Sequence, residues 1–191
     1  TSQDDCQLCP PGTWSPAGAA ACTSCPVGTF NAAYGAASVA ACVPCPAGTF
    51  GPGVGSNAID QCSRCPLGTF SSGYGLSSQA ACGSCPPGTI SAAAGAMDES
   101  MCVDCAPGTF AAANGSVCIK CPPGTFNPHG RGVNSSACLG CPAGRYSLEG
   151  ATDCASCPAG TASNATGATG ESMCAECPAG WFSSEGALNC S

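Results

Sequence analysis

The sequence is poor in large apolar side chains. Val, Ile, Leu and Phe together number 22 of its 191 residues, and the 44% hydrophobic content is mostly 33 Ala and 21 Cys. Such a chain cannot bury enough apolar surface to offset its ordering entropy unaided. This excludes a conventional globular core and leaves cross-linking or disorder. No apolar run approaches the roughly 18 residues needed to span a bilayer. No basic segment followed by an apolar one opens the chain at Thr1 either. The expectation is a mature portion without a membrane span, any signal peptide or anchor lying outside it. Cations are scarce as well: Arg64, Lys120, Arg131 and Arg145 stand against 11 acids, for a net charge of −7. They are scattered, so no basic patch faces nucleic acid or anionic lipid. The single histidine, His129, lies between Pro128 and Gly130 on an expected loop, and no carboxylate pair recurs along the chain. Without a repeated nucleophile–base pair, the chain reads as a non-enzyme that needs no cofactor.

What is abundant is cysteine, at a density that marks a disulfide scaffold. Reducing compartments do not maintain so many bridges, which places the chain outside the cell or at its surface, reached through the secretory pathway. The cysteines are periodic. Cys-x-x-Cys pairs begin at Cys6, Cys22, Cys42, Cys62, Cys82, Cys102, Cys118, Cys138, Cys154 and Cys174, 16 or 20 residues apart, and Cys190 opens an eleventh. Counting each unit from the second cysteine of a pair gives residues 1–8 as the end of a preceding repeat and ten repeats after it. These are 9–24, 25–44, 45–64, 65–84, 85–104, 105–120, 121–140, 141–156, 157–176 and 177–191.

The template reads Cys-Pro-x-Gly-Thr-Phe. Gly stands three places after the cysteine in all ten units, from Gly12 to Gly180, and Pro follows the cysteine in all but one, where Ala106 replaces it. A Pro-x-Gly step is a tight turn. Two places later comes an apolar anchor: Trp14, Phe30, Phe50, Phe70, Ile90, Phe110, Phe126, Tyr146, Ala162 or Phe182. One large side chain per unit is the natural lid for a neighbouring disulfide; a ladder for ligand stacking is the alternative. A second turn signal sits mid-unit, at Gly18, Asn114, Gly150 and Gly186 in the short repeats. In the long ones it is Gly35, Gly55, Gly75, Gly95, Gly167 and Gly130-Arg131-Gly132. The four extra residues of a long repeat read as a tolerated surface loop. Secondary structure should be sparse, with short hairpins around turns and no long helix.

Sequence does not in general fix disulfide connectivity, but a repeat demands the same solution in every unit. Joining the second cysteine of each motif to the first of the next gives Cys9–Cys22, Cys25–Cys42, Cys45–Cys62, Cys65–Cys82 and Cys85–Cys102. The series continues with Cys105–Cys118, Cys121–Cys138, Cys141–Cys154, Cys157–Cys174 and Cys177–Cys190. Cys6 alone is left over, with an expected partner upstream of Thr1. Each bridge closes a loop worth about 3 kcal/mol in the loop-entropy model.

Two Cys-x-x-Cys pairs at this spacing also suit a four-thiolate zinc site, yet they run on without a gap between sites and no histidine joins them. A redox role wants one such motif at a helix start beside a strand–helix–strand unit, not ten in register. Asp98, Glu99 and Asp104 lack the spacing of a calcium loop and read as an exposed acidic turn. No metal is expected. Asn114-Gly-Ser, Asn134-Ser-Ser and Asn164-Ala-Thr are glycosylation sequons in loops, and Asn189-Cys-Ser also matches. The threonines after the template Gly, Thr13 to Thr161, offer hydroxyls for O-linked sugar or for the turn itself.

The frame Cys-Pro-x-Gly-Thr-Phe followed by Cys-x-x-Cys resembles the cysteine-rich repeats of the ephrin-receptor-like and tumour-necrosis-factor-receptor-like families, from Cys6 to Cys190. The resemblance implies small disulfide-rich tandem repeats stacked as an elongated rod, with short β-hairpins and turns, little helix, no large hydrophobic core and one bridge per unit. It names no ligand: these units are nearly interchangeable and filled with Ala, Gly and Ser. The foremost reading is a structural protein of an extracellular filament, surface appendage or coat. Its partners would be copies of itself or other extracellular structural proteins, with covalent glycans. A receptor or adhesion ectodomain for a protein ligand is the alternative, with residues 131–146 and nearby His129 as the most distinctive segment. A protist-type cysteine-rich surface antigen is a third reading. Non-reducing peptide mapping of the purified chain should recover bridges between successive motifs; bridges inside the Cys-x-x-Cys pairs would overturn the scheme.

Overall fold

A computed structural model describes residues 7–191. Cys6 and its expected upstream bridge therefore lie outside the described residues. The chain divides into two compact units, Thr1–Cys85 with Ser91–Cys102, and Pro86–Ile90 with Val103–Ser191. Both are built from the same small parts. No α-helix occurs among the described residues, and nine two-stranded antiparallel ladders do. In the first unit Thr13–Trp14 pairs with Thr23–Ser24, Thr29–Phe30 with Val43–Pro44, Thr49–Phe50 with Ser63–Arg64, and Thr69–Phe70 with Gly83–Ser84. The same hairpin recurs in the second unit, from Thr89–Ile90 on Val103–Asp104 to Thr161–Ala162 on Ala175–Glu176. The fold is a set of small disulfide-rich tandem repeats.

Each repeat starts with the template turn. Thr13 N–H donates to the Pro10 carbonyl at 3.1 Å, and the Thr13 hydroxyl donates to the same oxygen at 2.7 Å. All eight template threonines spend their hydroxyl on this turn, at 2.7–2.8 Å. The ten template glycines have φ between +75° and +88°, the left-handed region that costs an L-residue about 1–2 kcal/mol.

Ten disulfides join Cys9–Cys22, Cys25–Cys42, Cys45–Cys62, Cys65–Cys82, Cys85–Cys102, Cys105–Cys118, Cys121–Cys138, Cys141–Cys154, Cys157–Cys174 and Cys177–Cys190. Sulfur takes the place of a core: most of the side chains with essentially no exposure are cysteines, among them Cys25, Cys45, Cys65, Cys121 and Cys157. The apolar anchor is half-buried in most repeats. Ile90 is buried in a cluster with Cys105, Ala111 and Cys118, so there the anchor does pack on the next repeat's bridge.

The additional residues of the long repeats are more ordered than a loop. Each of the six long units carries one 3-10 turn before its closing cysteine: Val39–Ala41, Ile59–Gln61, Gln79–Ala81, Glu99–Met101, Ser135–Ala137 and Glu171–Met173. The cysteine's own N–H closes the turn, as in Cys42 to the Val39 carbonyl at 2.9 Å. A bridge thus anchors the insertion at its root, and none of the turn residues is buried.

Repeats also contact beyond their immediate neighbours. A Cβ on Gly12, Gly28 or Gly48 would collide with the mid-unit carbonyl two repeats on, that of Gly55, Gly75 or Gly95. In the second unit Gly108, Gly124 and Gly144 stand in the same relation to Gly150, Gly167 and Gly186. Left-handed backbone and close approach therefore both demand glycine. Gly160, with φ +86°, is different: a Cβ there would meet nothing within 4 Å. Gly160→Ala should then cost only the backbone strain of about 1–2 kcal/mol. Gly48→Ala should cost about 1–3 kcal/mol more, the usual penalty for forcing atoms into filled space. Denaturation midpoints of the two oxidised variants measure the difference, and equal midpoints would refute the packing role.

Candidate functional site: the junction between repeats and the seventh-repeat hollow

The element that recurs within each compact unit is the junction between successive repeats, and it is made mainly of backbone. The template Gly N–H donates to a carbonyl of the following repeat, as in Gly12 to Asn31, Gly28 to Gly51, Gly124 to Ser147 and Gly160 to Ser183, at 2.7–3.0 Å. In return the mid-unit N–H of the later repeat donates to the opening cysteine's carbonyl: Gly35 to Cys9, Gly55 to Cys25, Gly150 to Cys121 and Gly186 to Cys157, at 2.8–2.9 Å. Parallel bridges add to these, pairing Phe30 with Ser56, Phe70 with Ala96 and Tyr146 with Ala168. Ala96 and Ala168 are fully buried at this position, while the fourth repeat places Leu76 there, half-buried, in the same bridge to Phe50.

Polar side chains fix the register. Asn31, Asn127, Ser147 and Ser183 each follow an anchor and donate to the Thr13, Thr109, Thr125 and Thr161 carbonyls of the preceding repeat, at 3.3, 2.9, 2.8 and 2.7 Å. Asn31, Asn127 and Ser147 are buried. Sequence reasoning passed over this position, although Ser or Asn stands after the anchor in eight of ten repeats. A buried small polar group beside an unpaired carbonyl is what a register-setting contact requires.

The charged residues are used locally. Arg64 and Lys120 close their repeats, just before the next opening cysteine, and lay their methylenes over Gly95 and Gly150 two repeats on, leaving the charged ends outward. Ser24, Pro44 and Ser156 cover Gly55, Gly75 and Gly186 from the same position. Lys120 lies 3.9 Å from Glu149, Arg131 3.4 Å from Asp104, and Arg145 3.5 Å from Asp153. All three pairs are solvent-exposed, a setting in which an ion pair contributes at most about 1 kcal/mol.

The acidic turn does not converge on one point. Asp98 accepts from the Ser100 backbone at 2.8 Å and from its hydroxyl, and caps the 3-10 turn. The Ser100 hydroxyl, followed by the Ser100 N–H, holds the Asp98 carboxyl below its ordinary pKa. Asp104 faces Arg131 instead. All 20 cysteines among the described residues are in disulfides, which leaves no thiolates there for zinc.

The seventh repeat carries the most distinctive surface. A hollow of about 380 Å³ is lined by residues of the segment 127–139, including Asn127, His129, Arg131 and Leu139. Asn127 forms its floor, with its amide on the Thr109 carbonyl and its Oδ1 accepting from His129 N–H at 3.1 Å. Neither Gly130 nor Gly132 takes the left-handed turn here. Arg131 does, with φ +64°, the one non-glycine residue with positive φ among those described. The sixth repeat differs from expectation too: Gly115 rather than Asn114 adopts the turn, with φ +63°. Asn114 instead accepts from the Ser116 hydroxyl at 2.7 Å. His129 and Arg131 flank the hollow while Arg145 lies with Asp153, so the segment 131–146 does not gather its cations on one point. The four sequon asparagines, Asn114, Asn134, Asn164 and Asn189, are all exposed.

Relieving the strain at Arg131 should stabilise the chain. Arg131→Gly is expected to gain about 0.5–1 kcal/mol, the left-handed penalty less the entropy that glycine adds to the unfolded chain. Arg131→Ala keeps the strain, loses only an exposed ion pair, and should stay within about 0.5 kcal/mol of the parent. Urea unfolding of the oxidised proteins compares them; a destabilised Arg131→Gly would mean that the side chain holds the turn.

Compared with known proteins, the chain matches the family described as tyrosine-protein kinase ephrin type A/B receptor-like four times, over residues 1–42, 12–62, 56–102 and 130–174. A search of curated proteins found no match. Matches over most of its length, on a frame of tandem hairpins with one bridge each, show that the chain belongs to the ephrin-receptor-like family of cysteine-rich repeats.

Proposed function

We propose that this chain is a non-enzymatic structural segment of an extracellular filament, surface appendage or coat. The tandem bridges and the family are of extracellular type. The observation that carries the structural reading is the uniformity of the junction. Within each compact unit, successive repeats such as the first and second or the seventh and eighth bind through the same backbone groups, whatever their side chains. Such a chain repeats one backbone junction along each compact unit, and that suits repeated contact with copies of itself or with other structural proteins. The charged groups that would carry chemistry are spread over separate exposed pairs.

A receptor or adhesion ectodomain for a protein ligand is the second reading. It is favoured by one observation, the strained Arg131 beside the seventh-repeat hollow, because strain that persists in one unit of a uniform array marks function elsewhere.

Electron microscopy and sedimentation of the oxidised chain over a rising concentration series separate the two. Ordered, concentration-dependent assembly that survives Arg131→Gly supports the structural role. A chain that stays monomeric and binds a soluble protein only when Arg131 is present would replace it with the receptor reading. In either case thiol reductant should abolish the native circular dichroism while a chelator leaves it unchanged, since bridges and not metal hold the fold.

A further inference from the structure

Sequons and exposed apolar side chains coincide in the second compact unit. All four sequons lie between Asn114 and Ser191; in the first unit Asn31 and Asn57 lack the hydroxyl residue two places on. A hollow of about 360 Å³ between the ninth and tenth repeats is lined by two sequon asparagines, Asn164 and Asn189, together with Met173 and Leu188. Met173 is 44% and Leu188 51% exposed. The seventh-repeat hollow is built alike, with Asn134 on its wall beside Val133 and Leu139, each about half exposed. There Asn134 turns its Oδ1 to the Ser136 N–H and hydroxyl, at 2.9 and 2.6 Å, which leaves Nδ2 for a covalent link. Volumes of this size lie at the lower end of small-ligand clefts. Their lining combines apolar patches with amide and hydroxyl groups, the pairing that a sugar ring's own C–H face and hydroxyls call for.

We propose that the hollow at Asn164 is the seat of an N-linked glycan, whose first sugars lie over Met173 and Leu188 and shield them from water; Asn134 roots a glycan in the same relation to Val133 and Leu139. The linkage forms when the Asn164 Nδ2 takes an oligosaccharide from an isoprenoid pyrophosphate donor. The N–C1 bond forms as the bond from C1 to the pyrophosphate oxygen breaks, the amide loses one proton, and the pyrophosphate lipid departs. The inference rests on passage through the secretory pathway and not on assembly into a filament, so a chain that never polymerises leaves it intact.

The structure contains its own control. Met101 and Met173 close equivalent 3-10 turns, Glu99–Met101 and Glu171–Met173. Their sulfurs accept equivalent backbone bonds, from Met97 at 3.2 Å and Thr169 at 3.3 Å, and their exposures are 39% and 44%. Only Met173 neighbours a sequon. The intact chain is secreted from a glycosylating eukaryotic host, and glycosidase release in heavy-oxygen water marks every occupied asparagine. Peroxide oxidation of the two methionines is then followed by mass spectrometry. The expected result is label at Asn164, with Met173 oxidised at least about twofold more slowly than Met101. In the Asn164→Gln/Asn189→Gln variant, with its disulfides mapped to confirm the fold, the two rates should become equal. An unlabelled Asn164, or a rate ratio that is the same in parent and variant, overturns the proposal.

Discussion

Template glycines and mid-unit turns two repeats apart meet backbone against backbone, with no room between them for a β-carbon. This approach locks together what the bonds between successive repeats, mid-unit N–H to opening cysteine carbonyl and template N–H to the following repeat, hold in line. Without these contacts the hairpins would be ladders of two or three residues, far too short to be stable alone in water. The disulfides solve the complementary problem. They remove much of the unfolded chain's freedom, leaving weak but numerous backbone bonds to select one arrangement. A repeat array is usually coupled through nearest neighbours alone; here the contact at Gly12, Gly28 and Gly48 extends coupling to the second neighbour.

Much of this was legible because cysteine, proline and glycine have few uses. Cysteines in strict register constrain pairing even though one pair alone would not, and Gly12 to Gly180 point to a left-handed turn by their spacing alone. The +2 approach was not legible, since positive φ is already a sufficient reason for glycine and hides a second one. The buried alanines after two of the mid-unit turns, Ala96 and Ala168, were submerged in a composition rich in alanine. The buried Asn31, Asn127 and Ser147 were not legible, because polarity says nothing about burial when the partner is a backbone carbonyl eighteen or more residues away. Two local turns fall elsewhere than expected for a related reason. The glycines flanking Arg131 are the better left-handed residues by propensity, yet register placed Arg131 in the turn, whereas in the sixth repeat the turn falls one place later than expected, on Gly115, the residue that propensity favours over Asn114.

The cations are instructive in the same way. Arg64 and Lys120 occupy a position that serine and proline fill elsewhere, and what these residues share is coverage of a glycine two repeats on. Charge is incidental to that task. The repeat therefore tolerates wide variation on its outer surface while holding its inner contacts almost constant. This is how a uniform scaffold can carry one unusual unit, the seventh, and sequons confined to one part of the chain.

The spacing of the bridges has a mechanical consequence. When a chain is pulled from its ends, the load follows the shortest covalent path, which here crosses each disulfide and skips the segment, 13 or 17 residue steps long, that it closes. The paired Cα atoms are only 5.6–5.8 Å apart, and three residue steps lead from one bridge to the next. At roughly 3.5 Å per extended residue, the tethered length is about 16 Å per repeat even if every hydrogen bond fails. The enclosed segments carry no tension at all, so the chain would yield early and then stop short. It would resist elongation as a chain of closed links does, until something reduces the sulfur.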